Sequence, residues 1–244
     1  MQLYRDDLKW IVRRMPIKLV KVMMAEAGLV LGGGFIRSCI ANEKINDIDL
    51  FVESKERAEY ITGVLKTAFG CNVVKTDNAN TIRANPYTIQ VIHRWVFEKP
   101  EDIVKSFDFT IACAAVWFQK TEPYSGGVWQ SLINDRFYAD LAAKRLVYLS
   151  PIRNEDAGGS ILRVLKFYQA GYRIPLDSFG NVIARLVGAV DFDKTPPDEA
   201  SVGRVITGLL REVDPSLDHE AYFPPESNDE SDDSGNLKTS IGQE

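Results

Sequence analysis

Cysteine and histidine are scarce in this 244-residue chain, which has three of the former and two of the latter. Cys39, Cys71 and Cys113 are odd in number, widely spaced and set among apolar residues. That pattern excludes a disulfide framework and a cysteine-type zinc site, and it points to a reducing, cytoplasmic setting. His93 lies within the strand-like YTIQVIHRW and reads as a packed or hydrogen-bonded residue; no Ser-His-Asp arrangement or Cys/His metal cluster can be assembled. Apolar runs of membrane-spanning length are also missing. The first residues, MQLYRDDLKWIVRRM, carry charges where a signal peptide needs an uninterrupted apolar core, so a soluble protein with no membrane association is expected.

Strong charge of one sign is absent from most of the chain. The formal net charge is −5, and the last nineteen residues carry six acidic side chains against Lys238, which accounts for all of it. The remainder is neutral, so the low isoelectric point says little about partners. The segment 225–244 has almost no large apolar residues and a dense acidic run from Glu226 to Asp233, and it is expected to be disordered.

What the sequence does have is enough apolar content, 45%, to build a sizeable core. Helical spacing of apolar residues covers 6–27, with Pro16 set to kink or split the helix. LVLGGG reads as a short buried strand entering a glycine turn, followed by a helical turn over 34–41 and a strand over 47–52. Ser54 is a helix N-cap for KERAEYITGVLKTAF, which Gly70 ends. Strand-like segments CNVVKT, NTIRA and YTIQVIHRWV follow; EDIVKSF reads as a short connection, and FDFTIACAAVWF as a further strand. From about Ser131 the pattern becomes mostly helical. The expected fold is α+β: a head over 1–130 with a mixed β-sheet packed by helices, then an all-helical lobe over 131–224.

Chemistry concentrates in LGGGFIRSCIANEKINDIDLFVE, Leu31 to Glu53. Asp47 and Asp49 are two apart in a strand, so their carboxylates project from one face and repel each other unless a cation lies between them. A hard divalent cation such as magnesium would satisfy both, and a third carboxylate on a neighbouring strand would complete a two-metal site. A strand end with solvated aspartates is the alternative for the pair alone. Gly32, Gly33 and Gly34 sit between strand and helix, where absent side chains let backbone N–H groups approach a phosphate, and Arg37 adds positive charge. Tight turns use glycine for conformational reasons too, so it is the combination that points to phosphate chemistry.

GGFIRS followed by NDIDLF resembles the signature of the polymerase β nucleotidyltransferase superfamily, in the form found in bacterial poly(A) polymerases and CCA-adding enzymes: GG-x-V-R-D, a spacer, then D-x-D. SFDFTIACAAV is similar to the R-D-F-T-I-N-A segment of that family, with Asp108 in the place of its aspartate. NEDAGGSILRVLKFYQAGYRI is similar to the E-D-P-x-R-x-L-R-A-x-R-F segment that opens the helical neck and reads the base, with Asp156, Arg163 and Lys166 in matching positions. Ser38 replaces the aspartate after the motif arginine, Ser106-Phe107 replaces a basic pair, and Gly158-Gly159 falls where the neck has a proline or arginine nearby. These departures bear on base selection more than on metal binding.

The resemblance implies a nucleotidyltransferase that binds an NTP with Mg2+ or Mn2+ and passes its nucleoside monophosphate to an acceptor hydroxyl, with an RNA 3′ end favoured. Asp47, Asp49 and Asp108 would be the catalytic metal ligands, although for Asp108 a nucleotide or sugar contact, or a cap at a strand entry, stays open. Gly32, Gly33, Gly34, Arg37, Ser38, Asp156, Arg163 and Lys166 would bind nucleotide, with a solvated helix face the alternative for Arg163 and Lys166. Protein or small-molecule acceptors stay open, as does a non-catalytic module that keeps the fold.

Overall fold

Pro16 divides the first helical stretch in two, because its ring cannot continue a helix and it supplies no N–H. The computed structural model describes residues 1–45, 47–121, 126–151 and 157–213, and in it α1 spans Arg5–Arg14 and α2 Ile17–Ala25. The expected tail and Asp156 lie outside the described residues. Then follow β1 (Val30–Gly32), α3 (Gly34–Ala41), β2 (Asp47–Phe51) and α4 (Lys55–Phe69). Helix α4 is bounded as its sequence requires: the Ser54 hydroxyl accepts a hydrogen bond from the Arg57 N–H, and Gly70 takes a left-handed conformation at the C-terminus.

Strands β3 (Val73–Lys75), β4 (Ala79–Ala84) and β5 (Tyr87–Ile92) lead into α5 (Pro100–Ser106). The connection EDIVKSF is thus a helix, opened by Pro100 at its first turn and by Glu101 and Asp102. The strand expected over 107–118 also needs correction. Its first part is irregular, with one 3-10 turn at Thr110–Ala112 whose Thr110 hydroxyl donates to the buried Asp140 carboxylate, and β6 begins only at Ala114 and runs to Thr121. Strand β7 (Gly126–Ile133), which the sequence reading did not assign, pairs along the full length of β6 and passes the expected head boundary at residue 130. Helix α6 is only Phe137–Ala142, ended by Lys144 at a positive φ; α7 (Ala157–Gln169), α8 (Leu176–Gly188) and α9 (Glu199–Val213) complete the described residues.

The seven strands form one mixed sheet in the order β3-β4-β5-β2-β1-β6-β7, in which only β2 and β5 are parallel. Alternation along the strands splits the core in two. Leu31, Ile48, Leu50, Ile89, Val91 and Val116 face the large cluster under the helices, while Val30, Phe51 and Ala115 face a smaller one closed by Ile103 and Val104 of α5. The α+β class and the C-terminal helical region agree with the sequence reading. No helix among the described residues is long and apolar enough to cross a membrane.

The helical region is locked by a close approach. A Cβ placed on Gly158 would lie 2.7 Å from the Leu209 carbonyl oxygen of α9, whereas one on Gly203 would meet nothing within 4 Å. Alanine improves helix propensity by up to about 1 kcal/mol at either position, but overpacking against backbone costs about 1–3 kcal/mol. Gly158→Ala should therefore lower the thermal midpoint by a few degrees and Gly203→Ala should raise it, as calorimetry would show. Two shifts of the same sign would contradict the α7–α9 packing.

Candidate active site

Asp47 and Asp49 project from the face of β2 opposite the fully buried Ile48 and Leu50. Register sets Asp49 beside Gly32 of β1 and Gln90 of β5, and Asp47 beside Thr88; beyond Gly32 stands Ala115 of β6. These neighbours bring no third carboxylate to the pair. Among the described residues, no group of three acidic, histidine or cysteine side chains is assembled that could hold a metal. Both aspartates are half-buried. Burial pushes the Asp49 carboxyl up to about 7, repulsion from Asp47 adds to the rise, and the Lys166 ammonium opposes it. Burial raises Asp47 as well, again against Lys166.

The glycine turn adjoins this pair. Gly32 needs to be glycine because a Cβ there would lie 2.8 Å from the Phe51 ring, and Gly33 takes φ +69°, a conformation that side chains disfavour. The Gly33 N–H donates to the Ala114 carbonyl, tying the turn to β6. Gly33 is also the N-cap of α3 without a side-chain cap, and the Cβ direction of Gly34 opens into empty space. The first N–H groups of a helix lack intrahelical acceptors, so this end of α3 is fitted for an anion.

Asp108 does not join that pair in a group that could hold a metal among the described residues. It is 3% exposed, on the irregular segment before β6, and its Oδ2 accepts from the Ser160 hydroxyl at 2.8 Å and from Arg163 Nε at 2.7 Å, both on α7. The expected strand placement that favoured a metal role does not occur. Arg37 lies with its Nε 3.3 Å from Glu43 Oε2 and its guanidinium carbon 4.8 Å from the Phe167 ring centroid, and it donates to the hydroxyl of buried Ser38 at 3.0 Å. Glu43 also accepts from the Tyr172 hydroxyl at 2.8 Å. Of the neck residues, Lys166 is exposed and acts on both aspartates, while Arg163 is engaged by Asp108. Ser160, Glu43, Phe167 and Tyr172 were not anticipated. All four stood inside quoted stretches, Phe167 as a packing residue of its helix, but nothing marked them as partners of Asp108 or Arg37.

Residues 2–144, more than half of the chain, match the model of the Gad2 family, Gabija anti-defense 2 family protein. The chain belongs to the Gad2 family. A relative named Gabija anti-defense 2, from Bacillus phage SPbetaL7, is 27% identical over 157 residues, which cover 63% of this chain and 36% of that protein. Among solved structures, the Thermotoga maritima CCA-adding enzyme complexed with tRNA superposes on 88% of this chain and 57% of its own, with a TM-score of 0.55 and 19% identity. A CCA-adding enzyme complexed with ATP gives 0.57 at 21% identity over 87% and 52%, and one with CTP gives 0.56 at 19% over 88% and 58%. At such identities the likeness establishes the fold, which is that of the nucleotidyltransferases. This Gad2 family member spans about a third of the phage relative and little more than half of the CCA-adding enzymes.

Proposed function

We propose that this protein is a metal-dependent nucleotidyltransferase that moves a nucleoside monophosphate from an NTP to an acceptor hydroxyl, favouring an RNA 3′ end, and that this transfer counters the Gabija defence. The observation that carries the reading is the half-buried pair Asp47 and Asp49 beside a glycine turn that opens α3. Two hard oxygen donors whose charge is held off by burial and mutual repulsion suit a divalent cation such as Mg2+ or Mn2+. Asp47 and Asp49 would hold it. When bound, such an ion acidifies the acceptor hydroxyl and neutralises triphosphate charge. The chain's own contribution is placement: the start of α3 presents N–H groups to phosphate oxygens, Gly34 leaves room for them, and Lys166 adds an exposed cation from α7. Arg37, neutralised by Glu43, supports the wall rather than the phosphates. An RNA acceptor is supported by the fold shared with an enzyme solved with tRNA.

Family membership favours a second reading, the same transfer onto a hydroxyl of a component of the Gabija defence. Both are tested by incubating the protein with each of four α-labelled NTPs, Mg2+ or Mn2+, and either total RNA or lysate protein from cells with and without Gabija. Label in RNA supports the first reading, and label in a protein found only with Gabija supports the second. Label in neither pool removes both acceptor classes.

A further inference from the structure

Helix α7 carries Lys166, whose charge reaches Asp47 and Asp49, and its buried Val164 and Phe167 turn one face of the helix to the core. Ser160, Arg163 and Phe167 follow one another at three- and four-residue spacing and form the stripe that meets the head, with Lys166 at its border. Asp108 takes the first two of these side chains through a single carboxylate oxygen. The segment bearing Asp108 is itself firmly held: the Thr110 N–H donates to Val147, the Asp108 carbonyl accepts from Leu149, and Phe109 packs against Tyr148 and Phe167. A second grip lies one turn on, where Phe167 is covered by Arg37 and Tyr172.

We infer that Asp108 is a positioning residue rather than a metal ligand: by holding Ser160 and Arg163 it fixes the rotation of α7 and thereby stations Lys166 at Asp47 and Asp49. The inference rests on the transfer reading for what Lys166 does there, but not for the clamp itself. The Oδ2 of this buried carboxylate is already shared between a hydroxyl and a guanidinium, so that oxygen's lone pairs are directed at α7. Moving it to a metal would leave Arg163 without this partner.

The test uses the full chain and three readouts: amide hydrogen exchange without metal, Mn2+ binding followed by electron paramagnetic resonance, and KM for NTP. Asp108→Asn is expected to raise exchange across residues 158–169, to leave Mn2+ affinity within about twofold, and to raise KM about tenfold. The double variant Asp108→Asn/Lys166→Ala should have the KM of Lys166→Ala alone, because both changes remove the same contact. Arg163→Lys keeps the charge but not the Nε contact and should give the same pattern, which covers the case of an Asp108→Asn protein that does not fold. A tenfold loss of Mn2+ affinity in Asp108→Asn, as expected of a ligand, overturns the inference. So does unchanged exchange over α7, or additive KM effects in the double variant. A wild-type protein that binds neither Mn2+ nor NTP overturns the transfer reading alone, and the exchange comparison still decides the clamp.

Discussion

Asp49→Asn is expected to abolish nucleotidyl transfer, with kcat/KM falling at least about a thousandfold, or about 4 kcal/mol of transition-state stabilisation. Asp49 stands beside the glycine turn, across from Gly32, so its carboxylate lies where the cation and the triphosphate would meet. With no third carboxylate gathered beside the pair among the described residues, the loss of one ligand halves the anionic donor set. The asparagine is nearly isosteric, hence the variant should keep its fold and its circular dichroism spectrum. Asp47→Asn should fall by a comparable factor, and the double variant by little more than either single one, because the two act as a unit. In infected cells carrying Gabija, the same variants should lose protection. Protection retained by a transfer-dead variant would sink the enzymatic account of counter-defence and leave a binding role for the fold.

Much of this candidate site is legible in the sequence, and for reasons that can be named. Alternation along a strand is rigid, so two aspartates at i and i+2 had to share a face. Glycines between a strand and a helix mark a turn whose φ and clearance few other residues can meet, as Gly32 and Gly33 do. Pro16, Ser54 and Gly70 acted as local punctuation because each works through its own backbone or a neighbour's. The errors concern features set by distant contacts. FDFTIAC has strand-like composition, but the Thr110–Asp140 hydrogen bond and the Phe109 pairing with Tyr148 hold its first part out of the sheet. Strand β7 begins with two glycines and gains its place from pairing with β6, including the Phe118 ring that covers Gly127. The strand reading of FDFTIAC was also what favoured a metal role over a nucleotide contact for Asp108, and β6 begins only at Ala114.

Arg37 ties a motif residue of α3 to the α7 side of the molecule. Its guanidinium joins Glu43, Ser38 and Phe167, and Tyr172 completes the same cluster through Glu43. Together with Asp108 and Arg163 this makes two charged contacts between the sheet-bearing region and α7. The proposed binding site, whose cation Lys166 comes from that helix, would depend on both.

Asp49 also predicts how stability responds to pH. Its folded-state carboxyl is pushed up to about 7, first by burial and then by Asp47, while in the unfolded chain it titrates at the ordinary carboxylate value near pH 4. Between these limits the folded protein holds a proton that the unfolded chain has released, so stability falls as pH rises from about 4 to about 7 and levels off above. At full burial the shift would correspond to about 4 kcal/mol, and partial solvent access reduces this to about 2 kcal/mol. Asp49→Asn removes the effect. Its thermal midpoint in metal-free buffer should match the wild type near pH 4 and exceed it by about 4–8 °C above pH 7. Adding Mg2+ should then raise the wild type alone, more strongly at pH 8 than at pH 6, because a cation competes with the proton for the same oxygens. Scanning calorimetry of both proteins across this range, with and without Mg2+, checks the whole scheme. A difference between them that stays constant with pH would mean that Asp49 titrates as an ordinary surface carboxylate and that the pair does not concentrate the charge a cation would relieve.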